Sequence, residues 1–406
     1  MRCSPWFALA AAVGIARPAF AQETLAPRIG ATLAGLEAEL IAFRRDLHRH
    51  PEVSGAEERT ASKVAERLRA LGIETRTGVG GHGVVGVLRG GRPGPVVAYR
   101  ADMDAVYSSD PDPVEFRSMV PGVRHICGHD VHTTIGIALA AGLASHRRDL
   151  AGTVLFVFQP AEERATGALA MLAAGVFRDP PPVAIYGVHT APFPVGQLAT
   201  IAGDMMSGRD RYRVAIHGEG DRGAATAAVR TRLAALGTVA PAEILRPAPR
   251  DLVLVTPPQV AESAGVTLLS GTIMATSLSR PAVTKGMREI GALAQGGTVV
   301  TPRYQPKTIA GVFNDSALTV RATAAAEQVL GAGNVVPVEV IVPAFSEDFG
   351  SFQDLVPGVF FFLGVSNPAK GTVGMPHTPD YVADEGAILV GARAMAAVLL
   401  DRLGRP

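Results

Sequence analysis

The sequence predicts an α/β protein: a larger unit with a mostly parallel sheet flanked by helices, interrupted by a smaller α+β unit. Three observations carry this. Short apolar runs alternate with segments of helical periodicity along most of the chain. Polar residues with chemical potential recur just after those runs, where open α/β sheets place ligands. Between about 206 and 313 the texture changes to half-exposed, alternating strands, and then the first pattern returns.

The elements follow in order. "LAGLEAELIAFRRDLHRHPE" (33–52) has apolar positions at helical spacing and stops near Pro51. "AEERTASKVAERLRALG" (56–72) is a second helix, with Gly72 as C-cap. "GVVGVLRG" (83–90) and "PVVAYRADMD" (95–104) are strands, the second nearly all apolar and so buried. "TTIGIALAAGLASH" (133–146) is a helix, "GTVLFVFQPAEE" (152–163) a strand, "ATGALAMLAAGVF" (165–177) a helix, and "VAIYGVHT" (183–190) another strand. In the interruption, "RYRVAIHGEG" (211–220) alternates like a half-exposed strand, "AATAAVRTRLAALGT" (224–238) is helical, "RDLVLVTPPQV" and "GVTLLSGTIMATS" are strands, and "AVTKGMREIGALA" is a helix. A buried strand "VFFFLGV" (359–365) and a closing helix at 383–403 complete the larger unit. The expected division is 1–21, 22–205, 206–313 and 314–406, the third segment being the insertion.

Length and composition agree with two globular domains: 406 residues, 48% hydrophobic and 18% charged. A net charge of +1 gives no reason to expect nucleic acid or a membrane surface as partner. The opening stretch reads as a secretory signal peptide. Arg2 supplies the positive start, Phe7 to Ile15 the apolar run, and Ala19-Phe20-Ala21 the small-residue cleavage site before Gln22. The run is too short to anchor in a bilayer. The expectation is cleavage after Ala21, no membrane association afterwards, and a periplasmic or secreted protein. Of the two cysteines, Cys3 falls in that leader, which leaves Cys127 as a single thiol in an oxidising compartment. Metal ligation would shield it.

Five polar stretches sit at strand ends: Asp102 and Asp104 in "YRADMDAV", Cys127, His129 and Asp130 in "CGHD", Glu162 and Glu163 in "FQPAEE", His189 in "YGVHTAP", and His377 in "GMPHTPDY". Thiolate, imidazole and carboxylate together suit zinc or a neighbouring first-row metal. Taken alone, Cys127 reads as a small buried hydrophobe. With His129 two positions on and only Gly128 between, the two donors can converge. The acidic pair alone could be a solvated helix start. Beside a metal, one carboxylate can ligate while its neighbour faces substrate as the general base that hydrolysis requires. His189 alone reads as a hydrogen-bonded histidine, His377 and His125 as loop residues, and His132 as a polar residue at a helix start. Their joint position after strands favours a shared site.

"FRRDLHRHPEVSGAEERTA", "YRADMDA", "CGHDVHTT", "FQPAEE", "GVHTAP", "FSEDFGSF" and "PHTPDYVADEGAILVGA" occur in this order. On these motifs the chain resembles the hippurate hydrolase and N-acyl-amino-acid amidohydrolase branch of the metal-dependent aminoacylase and carboxypeptidase family. The likeness covers about 43–205 and 313–403. It implies two divalent metal ions (zinc, manganese, nickel or cobalt) and a lid domain that makes a homodimer. It also implies the roles. Cys127, His129, Glu163, His189 and His377 match the metal ligands, with Cys127 as the bridge, and Glu162 matches the catalytic base. Asp102 matches an aspartate that orients a ligand by hydrogen bonding. The implied substrate is a small-molecule amide, an N-acyl amino acid or short peptide.

The insertion departs from the resemblance. Arg222 stands where a histidine reaching the partner subunit is expected, His217 lies earlier on the strand side, Met274 replaces an arginine that holds a substrate carboxylate, and no asparagine precedes it. Arg222 or Arg280 is left as a stand-in. An alternative from another class is therefore a non-hydrolytic, metal-containing small-molecule binding protein, against which Glu162 argues. A third reading, thiol catalysis by Cys127, needs that sulfur free of metal.

Overall fold

The computed structural model describes residues 25–405, so the expected leader lies outside the described residues. The larger sheet has eight strands, ordered Glu74–Thr77, Val84–Arg89, Ala151–Gln159, Arg92–Asp102, Ala184–Pro194, Gly358–Ser366, Leu198–Thr200 and Val335–Pro337. The four from Ala151–Gln159 to Gly358–Ser366 are parallel to one another. Antiparallel pairing is confined to the flanks, where Val84–Arg89 and Leu198–Thr200 join. The expected fold class is therefore the observed one.

Parallel strands are covered on both faces, which is why these segments read as unbroken apolar runs. Alternation divides them between two cores. Phe156 and Phe158 face one side with the helices Leu25–Gly35, Glu37–Arg49, His129–Ser145 and Gly386–Leu403. Leu155 and Val157 face the other, against Met171, Phe349 and Phe352. Each fully buried phenylalanine contributes roughly 1.5–3 kcal/mol of apolar transfer. The helix His129–Ser145 is buried on every side except at its last two residues. Its small residues permit this: a Cβ at Gly136 would lie 2.7 Å from the Phe158 ring.

The first helical stretch differs from expectation. It is two helices, Leu25–Gly35 and Glu37–Arg49, meeting at Leu36. Leu25, Ile29 and Leu33 recur every four residues and bury one stripe, while Gly35 is a weak helix former where the turn tightens.

The smaller unit is an antiparallel sheet ordered Val253–Val255, Val266–Ala275, Gly208–Gly218 and Thr298–Ile309, with Gln259–Ser263 also paired to Val266–Ala275. The helices Arg222–Ala234 and Arg280–Ile290 cover one face around Val214, Ile216, Leu269 and Met287. The chain crosses between the units at a two-residue ladder, Gly203–Asp204 with Phe313–Asn314. Asp204 fastens this crossing by accepting from the Ser277 amide at 2.8 Å and hydroxyl at 2.6 Å. No helix among the described residues is long and apolar enough to cross a membrane.

Candidate metal centre

Parallel strands end on one side of the sheet, and the chemical residues are there. Asp102 closes its strand and Asp104 follows it, Glu162 and Glu163 come just after Gln159, and His189 lies in the strand Ala184–Pro194. Cys127 and Gly128 precede the helix that starts at His129. His377 comes from a distant loop, held where its amide donates to the Ile126 carbonyl at 2.8 Å.

Local backbone makes these approaches possible. Gly128 has φ 89°, a left-handed conformation that turns the chain from Cys127 into the helix. A Cβ there would sit 2.3 Å from Tyr381 Oη and 2.4 Å from Thr190 Oγ1. Thr190 Oγ1 in turn donates to the Cys127 carbonyl at 2.7 Å. Gly128→Ala should therefore cost roughly 2–4 kcal/mol through strain and overpacking together, and should weaken divalent-metal binding. Thermal unfolding with and without added metal checks this; an unchanged midpoint would contradict it. Ala161 and Ala165 have φ 53° and 51° and bracket the acidic pair, so Glu162 and Glu163 lie in a tight turn before the helix Gly167–Ala173. His377 is also left-handed, with φ 61°, and is 49% exposed. Non-glycine residues pay for that conformation, and it concentrates at functional sites.

Two donor groups share one atom. Cys127, His129 and His189 form one; Cys127, Glu163 and His377 form the other; in each, the donor atoms lie within 4.8 Å of one another. Cys127 Sγ is 3.2 Å from His189 Nε2, and Glu163 Oε1 is 3.3 Å from His377 Nε2 and 3.8 Å from His129 Nε2. His129 Nε2 and Glu163 Oε1 are buried and have no hydrogen-bond partner in the protein. Buried polar atoms are normally satisfied. Two orphaned donors aimed at one space, with thiol, imidazole and carboxylate around it, fit a pair of first-row divalent cations. His189 is oriented for this, since Nδ1 donates to the Thr190 carbonyl at 2.7 Å and leaves the Nε2 lone pair free.

The electrostatics agree. Burial, then the Glu163 and Glu162 charges, push the Cys127 thiol well above its usual range. Burial and the neighbouring His132 keep the His189 imidazole neutral. Burial opposes charging His129, but Asp102 and Asp104 override it and raise its proton affinity to about 10. Burial, then Glu347, Glu163 and Asp348, push Glu162 well above the ordinary carboxylate range. The pocket has an excess of negative charge that cations would neutralise.

One expectation is corrected. Asp102 does not hydrogen-bond any of the five expected ligands. Its Oδ1 accepts from His132 Nδ1 at 2.6 Å, and its Oδ2 accepts from Arg100 at 2.7 Å and lies 3.7 Å from His129 Nε2. Asp104 orients His129 instead, at 3.2 Å through Nδ1, and also accepts the Glu163 amide at 2.9 Å. Asp102 is the last residue of its strand and points under the helix toward His132, whereas Asp104 lies beyond the strand end, where strand alternation no longer sets its direction. His132 Nε2 accepts the Thr190 amide at 2.8 Å, so both of its ring nitrogens are occupied and it is no ligand. Both ring nitrogens of His125 are buried without partners, and burial lowers its proton affinity to about 4.

Sequence reasoning missed the layer beneath. Arg100 is fully buried and donates to Asp102 (2.7 Å), Glu347 (2.8 Å), Asp348 (3.3 Å) and Gln159 (2.8 Å). Glu347 and Asp348 come from "FSEDFGSF", to which no role was attached, and they group with Glu162 within 4.8 Å. A cation inside an otherwise apolar strand, two positions before Asp102, was the available signal. In the smaller unit, Arg222 lies 3.9 Å from Glu262 and Arg280 3.1 Å from Asp210, so each stand-in has an acidic partner within its own unit.

Known proteins resemble this chain over most of its length. Residues 98–401 match the profile of peptidase family M20/M25/M40. Thermostable carboxypeptidase 2 of Saccharolobus solfataricus is 32% identical over 388 residues, covering 90% of this chain and 95% of that one. N-acetylcysteine deacetylase of Bacillus subtilis is 32% identical over 387 residues, covering 90% and 97%. The YXEP protein of Bacillus subtilis, described as a dinuclear metal binding peptidase, superposes with a TM-score of 0.76 at 31% identity, over 91% of this chain and 99% of that chain. With a family match over residues 98–401 and relatives above 30% identity over about nine tenths of the chain, the chain belongs to peptidase family M20/M25/M40 and is a hydrolase of that family.

Proposed function

We propose that this protein hydrolyses the amide bond of an N-acyl amino acid or short peptide, with two divalent cations held by Cys127, His129, Glu163, His189 and His377. The observation that carries the reading is the position of Glu162. It is a buried carboxylate with Oε2 3.9 Å from His129 Nε2, grouped with His129 and Glu163, one from each donor group, but outside both groups that contain Cys127. The cations, whether zinc, manganese, nickel or cobalt, would polarise the scissile carbonyl and acidify water.

The chain's own residues do the rest. Glu162 takes a proton from the attacking water and delivers it to the departing amine nitrogen. Asp104 fixes the His129 ring through Nδ1, and Glu163 is held by its amide on Asp104. Arg100 holds Glu347 and Asp348 in place below Glu162. Thiol catalysis is disfavoured because the environment of Cys127 opposes the thiolate unless a cation is near. A deacetylase and the IAA-amino acid hydrolases of Arabidopsis thaliana among the relatives support an N-acyl amino acid. Export with loss of residues 1–21, and a homodimer through the smaller unit, complete the reading.

The test is turnover of a panel of N-acyl amino acids before and after chelation. Activity should vanish on chelation and return with one of the four metals. Turnover that survives complete chelation would sink the proposal.

A further inference from the structure

The five candidate ligands are not equally confined. Cys127 and His129 are buried and Glu163 and His189 half-buried, whereas His377 is exposed. His377 also holds the left-handed φ of 61°, which costs free energy in any residue with a Cβ. A ligand so placed keeps its direction only if the backbone around it is fastened.

Two hydrogen bonds supply the fastening, and both reach the stretch that ends in Cys127. The His377 amide donates to the Ile126 carbonyl at 2.8 Å. Arg124 Nη1 donates to the Pro379 carbonyl at 3.2 Å, two residues beyond His377. The same Nη1 is 3.4 Å from the Asp110 carbonyl, and Nη2 is 3.4 Å from Asp112 Oδ1. Arg124 is buried, at 3% exposure, in a short ladder opposite Val106. One guanidinium therefore ties a carboxylate and two carbonyls of separate segments, which its planar set of donors allows and a point charge does not.

The carboxylate that anchors Arg124 is itself fixed. Asp112 Oδ2 accepts the Ser118 amide at 2.9 Å and lies 2.9 Å from His48 Nε2. The other nitrogen of His48 is 2.8 Å from Asp130 Oδ2, which also lies 2.7 Å from Arg44 Nε. Asp130 follows His129 at the start of the helix His129–Ser145. A chain of paired charges thus runs from the helix that supplies His129 to the loop that supplies His377, outside both donor groups.

We propose that Arg124 is a positioning residue for one of the two cations: by holding the Pro379 carbonyl it keeps His377 opposite Cys127 and Glu163. The group formed by Cys127, His129 and His189 does not depend on it. This rests on the two-cation reading of the site.

The experiment titrates zinc into chelator-stripped full-length protein in competition with a chromogenic chelator, and resolves two dissociation constants per chain. Arg124→Met should raise one of them by roughly 10- to 100-fold and change the other by less than about twofold. Asp112 keeps its bonds from His48 and Ser118 in this variant. Arg124→Lys should recover part of the loss, since an ammonium still donates to one carbonyl. If Arg124→Met does not fold, Arg124→Gln carries the same expectation. His377→Ala should weaken the same ion, and adding Arg124→Met to it should then change the ion that remains by less than about twofold. Parent constants in Arg124→Met, equal weakening of both ions, or a further loss in the double variant would overturn the inference alone. A parent that binds fewer than about one zinc ion per chain would overturn the two-cation reading and this inference with it.

Discussion

Glu162→Gln should lower kcat by roughly 100- to 10,000-fold while metal content stays that of the parent. The substitution keeps the size and hydrogen-bonding reach of the side chain and removes its ability to carry a proton. Glu162 belongs to neither donor group that contains Cys127, so removing its charge leaves the five candidate ligands in place. The pH profile should change too. Burial and the charges of Glu347, Glu163 and Asp348 raise the proton affinity of Glu162. A base works only when ionised, so parent kcat should rise with pH through the acid limb set by this group. The residual activity of Glu162→Gln should lack that limb. Loss of activity accompanied by loss of metal would instead make Glu162 a ligand.

Arg100→Met should destabilise the protein by about 3–5 kcal/mol, because it leaves buried carboxylates without their cation. Arg100 is fully buried, and so are Asp102, Glu347 and Asp348 around it. The carboxylates repel one another once the guanidinium is gone, and the low-dielectric surroundings magnify that repulsion. Asp348 already reports the strain: burial raises its proton affinity to about 7 despite Arg100, which pulls it down, with Glu347 pushing it up. Urea unfolding of metal-free parent and variant measures the difference without contributions from bound cations. A change below about 1 kcal/mol would mean the cluster protonates at little cost.

The sequence made the larger sheet legible because its strands are buried on both faces and so appear as unbroken apolar runs. The smaller unit was legible for the opposite reason. Residues 208–218 alternate between buried and exposed, the mark of a sheet covered on one face. Less visible was the break at Leu36, since helical periodicity continues on both sides of it. The five candidate ligands were readable as residue types after strands. The exchange between Asp102 and Asp104 was not, because both are acids at one strand end and only packing tells which side each faces. Arg100, Glu347 and Asp348 escaped for a related reason: they meet across 247 and 248 positions of sequence.

The central claim is that Cys127 joins two metal sites. Chelator-stripped protein is reloaded with zinc or manganese, freed of excess metal, and assayed for bound metal per chain. About two ions per chain are expected for the parent, and fewer than about one for Cys127→Ala, because both donor groups lose a member. A parent that holds fewer than about one ion per chain, or a Cys127→Ala variant that retains both, would contradict it.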